Sequence, residues 1–256
     1  MEQLYNIIKN KNVVIMSHGK SIEELEERID EFKDYDIVWT SLNQFTIVED
    51  FILSKIGKRL SIVLDCSSVA DSRIRLFEYK LRMPRLCEFL SRSENNIWVT
   101  TKGIIHLYHR FLNEGDFIRN YRHKIFLVDE IFPRSKIGYF MSVPNSITLL
   151  IALFVQAQAK NIIMFGFDGY TGGLEEGINF CYKPRHQALE RTIALGTLMD
   201  NGINRGTIAF ESNFCRIFKE YKTMFNSKTN IINCSPNTYY TCIEKVNYDE
   251  VKKWLI

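Results

Sequence analysis

Residues 12–32 read NVVIMSHGKSIEELEERIDEF: an apolar run, a polar turn around a glycine, then apolar residues at helical spacing. Asn12 to Met16 has the length and β-branched content of a buried strand. Ile22, Leu25, Ile29 and Phe32 recur every three or four residues with acidic residues between them, which predicts an amphipathic helix over Ile22 to Phe32. A strand passing through Ser17-His18-Gly19-Lys20-Ser21 into such a helix is the first half of a strand–helix–strand unit.

The same succession recurs along the chain. Strands are expected at Asp36 to Thr40 (DIVWT), Leu60 to Leu64 (LSIVL), Ile97 to Thr100 (IWVT) and Lys124 to Val128 (KIFLV). A strongly apolar helix, Ser146 to Ala159, feeds a strand at Asn161 to Phe165 (NIIMF); Asn230 to Asn233 (NIIN) is a last short strand, and Tyr248 to Ile256 a terminal helix. Alternation of this kind predicts an α/β fold with a mainly parallel sheet covered by helices on both faces, because parallel strands need crossover connections. With 256 residues the chain lies near the upper limit for one core, so residues 1–256 are expected to form a single domain. The segment Gly172 to Arg185 (GGLEEGINFCYKPR) is rich in glycine and mixes aromatic with charged residues, and with His186 it is expected to form a lid.

Composition removes several function classes. A net charge of +3 is too small to argue for nucleic acid, and Phe117 to Lys124 (FIRNYRHK) is only one short basic and aromatic patch, so no nucleic-acid partner is expected. The longest apolar stretch, Ile147 to Gln156, is well short of the roughly 20 residues of a spanning helix. Cys66, Cys87, Cys181, Cys215, Cys234 and Cys242 form no CxxC pair. With no signal-peptide pattern at MEQLYNIIKNKNVVIM, reduced thiols and a cytoplasmic location are expected. His106 and His109 share a helix face without a carboxylate at metal-site spacing, and no metal site is expected. The oligomeric state is open, a homo-oligomer included.

Five segments could carry chemistry, each standing at the end of a strand or the start of a helix. In Ser17 to Ser21, Gly19 allows a tight turn or a close ligand approach, Ser21 can cap the helix, His18 is incidental or functional, and free amides there favour an anion. Neither the dinucleotide fingerprint nor a Walker loop is present, since the glycine counts fall short. After the second strand, Asn43 can bond a ribose or base edge, or its own backbone. Asp65 after the third strand has the same two readings. Asn145 and Ser146 open the apolar helix and can cap it or hold a ligand through the same amides. In Phe165-Gly166-Phe167-Asp168-Gly169-Tyr170 the glycines allow close backbone approach, Asp168 can tie the loop together, and Tyr170 is a ligand-contact candidate. In the expected lid, Tyr182, Lys183 and Arg185 can serve an anionic leaving group and His186 can act as a base.

Taken in order, these segments resemble a known family. Ser17 to Ile22 looks like the Gly-Asn-Gly-Pro-Ser-Leu turn of bacterial lipooligosaccharide sialyltransferases, and Asn43-Gln44-Phe45 resembles their Asn-Gln-Phe. Asn145-Ser146 resembles their Thr-Ser before an apolar helix, NIIMFGFDGY their strand ending Gly-Ile-Asp-x-Tyr, and Cys234-Ser235-Pro236-Asn237-Thr238 their Cys-Pro-Asn-Ser. The turn and the Gly-x-Asp strand also occur in proteins similar to 6-hydroxymethylpterin diphosphokinase. The chain departs from the pattern at Ser17-His18 and Lys20, and His186 is the one histidine in the interval where that family carries its base.

The resemblance implies a Rossmann-like domain that binds a CMP-sugar without metal and transfers the sugar with inversion. It places nucleotide contacts at Gly19, Ser21, Asn43, Ser146 and Tyr170, with Asp65 where the family has an Asn. The expected function is transfer from CMP-sialic acid or a related CMP-sugar to a glycan acceptor, with no cofactor, at the inner face of a membrane if the acceptor is lipid-linked. A pterin pyrophosphokinase using ATP and magnesium, through Asp65, Asp71 and Asp168, is the second expectation. A nucleotide-binding protein without catalysis is the third.

Overall fold

A computed structural model describes residues 1–17, 19, 21–42, 49, 51–65, 83–111, 115–132, 146–167, 219–220, 223, 225–235, 238 and 242–256. The first half of the chain alternates α1 (Glu2–Ile8), β1 (Asn12–Met16), α2 (Ile22–Arg28), β2 (Ile37–Leu42) and β3 (Ile62–Asp65). Residues 83–92 form α3, followed by β4 (Ile97–Thr100), α4 (Lys102–Phe111), α5 (Gly115–Asn120), β5 (Ile125–Leu127) and α6 (Val128–Ile131). Then come α7 (Ser146–Gln156), β6 (Asn161–Phe165), β7 (Asn230–Asn233), β8 (Glu244–Lys245) and α8 (Tyr248–Leu255).

Among the described residues, eight strands make one sheet in the order β5-β4-β3-β2-β1-β6-β7-β8. Every pairing is parallel. The order runs outward from β1 in one direction through β5, then resumes on its other side with β6. The reversal lies between β1 and β6, which pair from Asn12↔Asn161 to Met16↔Phe165.

Both faces of the sheet are buried, which explains why its strands read as continuous apolar runs. Side chains alternate across it. Val13, Ile15, Ile162 and Met164 join Leu4 and Ile8 of α1 and Leu150 and Phe154 of α7 on one face. Val14, Met16, Ile163 and Phe165 join Ile22 and Leu25 of α2 and Tyr248, Val251 and Leu255 of α8 on the other.

The amino ends of three adjacent strands begin with asparagine. Asn161 Nδ2 donates to Asn12 Oδ1 (2.8 Å) and to the Trp254 carbonyl (2.5 Å), Asn12 Nδ2 donates to the Leu255 carbonyl (2.9 Å), and Asn230 Nδ2 donates to Asn161 Oδ1 (2.8 Å). The Asn12 and Asn161 amides supply partners to the last carbonyls of α8, which have none within the helix.

The structure adjusts several boundaries. The expected helix over 22–32 is α-helical to Arg28 and then tightens into a 3-10 turn, Ile29–Phe32. The strand expected at 124–128 shortens to 125–127, because Lys124 ends a 3-10 turn and Val128 starts α6. The helix α1 and the two-residue edge strand β8 are additions. Cys234 is a free thiol, as expected, but Cys242 is disulfide-bonded, so the expectation of reduced cysteines fails there. No helix among the described residues is long and apolar enough to cross a membrane.

Candidate functional site

In an open parallel sheet, the crossovers leaving two neighbouring strands at a reversal of strand order go to opposite faces, opening a crevice at the strands' carboxyl ends. Here the reversal lies between the ends of β1 and β6, where the SHGKS turn and the FGFDGY segment begin. The two segments are joined by backbone hydrogen bonds beyond the strands themselves: Ser17 N donates to the Phe165 carbonyl (2.9 Å) and Gly19 N to the Gly166 carbonyl (2.8 Å).

Gly166 makes this junction possible. Its φ of +68° lies in the left-handed region, and a Cβ built there would stand 2.6 Å from the Ser17 carbonyl oxygen. Only a residue without a side chain lets the two backbones meet this closely. Gly19 then turns the chain: its carbonyl accepts from Ile22 N (3.1 Å), so α2 starts with almost no loop.

Ser21 departs from its expected capping role. Its backbone is already helical (φ −62°, ψ −11°) and its side chain makes no cap bond to α2, whereas capping serines are typically extended. The turn is braced from behind instead. Tyr248 of α8 donates its hydroxyl to the Ser21 carbonyl (3.4 Å) and packs its ring against Phe165 (centroids 5.1 Å apart), while the Arg28 guanidinium covers the ring at 5.3 Å.

Arg28 also holds α2 and α8 together electrostatically. It donates to Glu31 (2.7 and 2.9 Å) and to Asp249 (2.5 Å), and Lys252 approaches Glu31 at 2.5 Å. These hydrogen bonds, first from Arg28 and then from Lys252, pull the Glu31 carboxyl down to about 2 from an ordinary 4.5. A depressed carboxyl stabilises the fold above its unfolded value and ceases to do so as pH falls through its folded value. The urea midpoint of the wild-type chain should therefore exceed that of Glu31→Gln by a constant margin above pH about 4.5, and the margin should shrink toward pH about 2. A margin independent of pH would show that the charge of Glu31 contributes nothing.

Further polar groups line the carboxyl edge. Ser41, at the end of β2, is fully buried and donates to the Met16 carbonyl (3.1 Å), and Thr40 donates to that of Val14 (2.8 Å). Asp65 ends β3 with only 4% of its surface exposed, and its carbonyl accepts from Thr100 Oγ1 (2.8 Å). Because β2 separates β3 from β1, Asp65 stands about 10 Å from the crevice by strand spacing. The helix α7 connects β5 to β6 and packs over β3, so it runs against the strands and its N-terminus, at Ser146, faces this same edge.

On the far side of β6, two buried side chains hold its exit. Phe167 N donates to Ser235 Oγ (2.6 Å), and Asn233 Nδ2 donates to the Phe167 carbonyl (3.3 Å). Ser235 N in turn donates to Asn233 Oδ1 (3.0 Å). Cys234 between them points to the opposite face, where burial pushes its thiol pKa upward and leaves it unreactive.

Of the residues singled out in the sequence, the structure places Gly19, Ser21, Asp65, Gly166 and the backbone of Ser146 along one edge of the sheet. It joins Gly19 to Gly166 directly and sets Asp65 apart from them. His18, Asn43, Asn145, Asp168, Tyr170, Tyr182, Lys183 and His186 lie outside the described residues, as do residues 172–186 of the expected lid. Sequence reasoning missed Asn233 and Tyr248 as parts of this edge. The polar–apolar–polar pattern of Asn233-Cys234-Ser235, closing an apolar strand, was the available signal for two groups turned to one side. Compared with known proteins, the chain matches no family model, no curated protein and no solved structure.

Proposed function

We propose that the chain is a glycosyltransferase that takes a nucleotide-activated sugar, CMP-sialic acid or a related CMP-sugar, and passes the sugar with inversion to a glycan acceptor. The observation carrying the proposal is the reversal of strand order between β1 and β6, where the backbones of Gly19 and Gly166 meet. Ligands of open α/β sheets bind at such a point, where glycines admit a phosphate close to backbone amides. The choice of a CMP-sugar rests on the resemblance of the segments 17–22, 43–45, 145–146, 161–170 and 234–238 to the sialyltransferase pattern.

In this reading the acceptor oxygen attacks the anomeric carbon as the bond to the phosphate oxygen breaks, and CMP leaves with the electron pair. Amides and hydroxyls at the turn and at the start of α7 stabilise its charge, with Asn43, Ser146 and Tyr170 on the nucleotide. Lys183 and Tyr182 face the leaving phosphate, and His186 takes the acceptor's proton. A lid over residues 172–186 would keep water from the activated sugar. No metal enters this scheme, whereas the pterin-directed alternative needs ATP with magnesium.

A thermal-shift panel of CMP, UDP, GDP and ATP, each with and without magnesium, separates these readings. CMP at about 100 times its dissociation constant should add roughly 2.7 kcal/mol to stability, raising the melting temperature equally with and without magnesium. A shift only with ATP and magnesium would move the chain to the pyrophosphokinase reading. No shift with any nucleotide would reject nucleotide binding.

A further inference from the structure

We infer that Asn233 and Ser235 are positioning residues of the nucleotide crevice, acting through both halves of the Phe167 peptide backbone. The inference rests on the proposed nucleotide site. Gly166 leaves β6 with a left-handed φ, so the strand's regular ladder cannot continue to guide the chain beyond it. Two side chains from the neighbouring strand supply what the ladder no longer does. Ser235 Oγ accepts from Phe167 N and Asn233 Nδ2 donates to the Phe167 carbonyl, and the Ser235 N to Asn233 Oδ1 bond locks the two side chains to each other.

Both residues are completely buried, so neither is there for solvent contact. An apolar residue at either place would leave a buried peptide group of Phe167 without its partner. Asn233 and Ser235 thus fix the orientation of Phe167 immediately beyond the Gly19–Gly166 junction, which the proposed function puts beside the nucleotide. They need not touch the nucleotide to do this. Holding the exit of β6 in a fixed orientation lowers the ordering cost of binding.

Hydrogen exchange and CMP titration on the full chain test the inference together. In the wild-type protein the Phe167 amide should exchange as slowly as the amides of central β6. In Ser235→Ala it should exchange at least about tenfold faster and CMP should bind about tenfold more weakly, with the urea midpoint lowered by no more than one lost buried hydrogen bond accounts for. Ser235→Thr, which keeps the hydroxyl, should restore both. Asn233→Asp, which keeps the acceptor for Ser235 N but loses the donor to Phe167, should weaken CMP in the same sense. A fast-exchanging Phe167 amide in the wild-type protein overturns the inference, as does undiminished CMP affinity in Ser235→Ala. If the exchange results hold but the wild-type chain binds no CMP, the functional reading fails and the clamp is structural only.

Discussion

Gly166→Ala should destabilise the protein by about 3 kcal/mol, roughly 1 for the left-handed backbone and the rest for steric overlap. A Cβ there meets the Ser17 carbonyl oxygen at 2.6 Å, its carbon at 3.0 Å and Ile22 Cβ at 3.1 Å. The first two are backbone atoms of the neighbouring strand's exit and cannot swing aside as a flexible side chain could. Relief requires the SHGKS turn to move off β6, breaking the Gly19 to Gly166 bond, so nucleotide binding should fall as well. Gly57 provides the internal control. Its φ is +67°, but nothing lies within 4 Å of its added Cβ, so Gly57→Ala should cost only about 1 kcal/mol. Urea unfolding of the two variants checks this, and equal costs would remove the steric argument for the junction.

Glu49→Ala is expected to have an effect of similar size, about 3 kcal/mol, for a different reason. Glu49 is 3% exposed and receives two hydrogen bonds from Arg92, each 2.8 Å, and one from Leu60 N at 3.1 Å. Removing it withdraws the carboxylate from a guanidinium in α3 and from a buried amide just before β3. Such a loss costs more than the intact pair contributes over an apolar substitute, because the groups left behind stay partly desolvated. Glu49→Ala with Arg92→Leu should therefore recover part of the loss in chemical denaturation. A double variant as unstable as the sum of the two single ones would refute this account of the pair.

The architecture was largely legible because buried parallel strands announce themselves as short β-branched runs. NVVIM, IWVT and NIIMF each contain the strand that forms, and LSIVL contains all of β3 but its last residue, Asp65. The pattern could not give strand order, since every such run is apolar on both faces whether central or near an edge. That β6 pairs with β1 rather than β5 comes from the structure alone. Edge strand β8 escaped because Glu244-Lys245 has no apolar signature; it forms by backbone pairing to β7 alone. At the site, Gly19 and Gly166 were legible as close-approach glycines, but the partner each approaches was not. Ser21 misled for a reason: serine before an amphipathic run usually caps the helix, and here the glycine turn delivers the chain already helical.

The central claim is that a nucleotide binds across the ends of β1 and β6, and hydrogen exchange with and without saturating CMP tests it most directly. The account predicts slowed exchange in peptides spanning Ile15 to Ser21 and Met164 to Phe167, with none at the amino-edge residues 225–230. Protection absent from both of those carboxyl-end segments, or confined to another part of the chain, would contradict it.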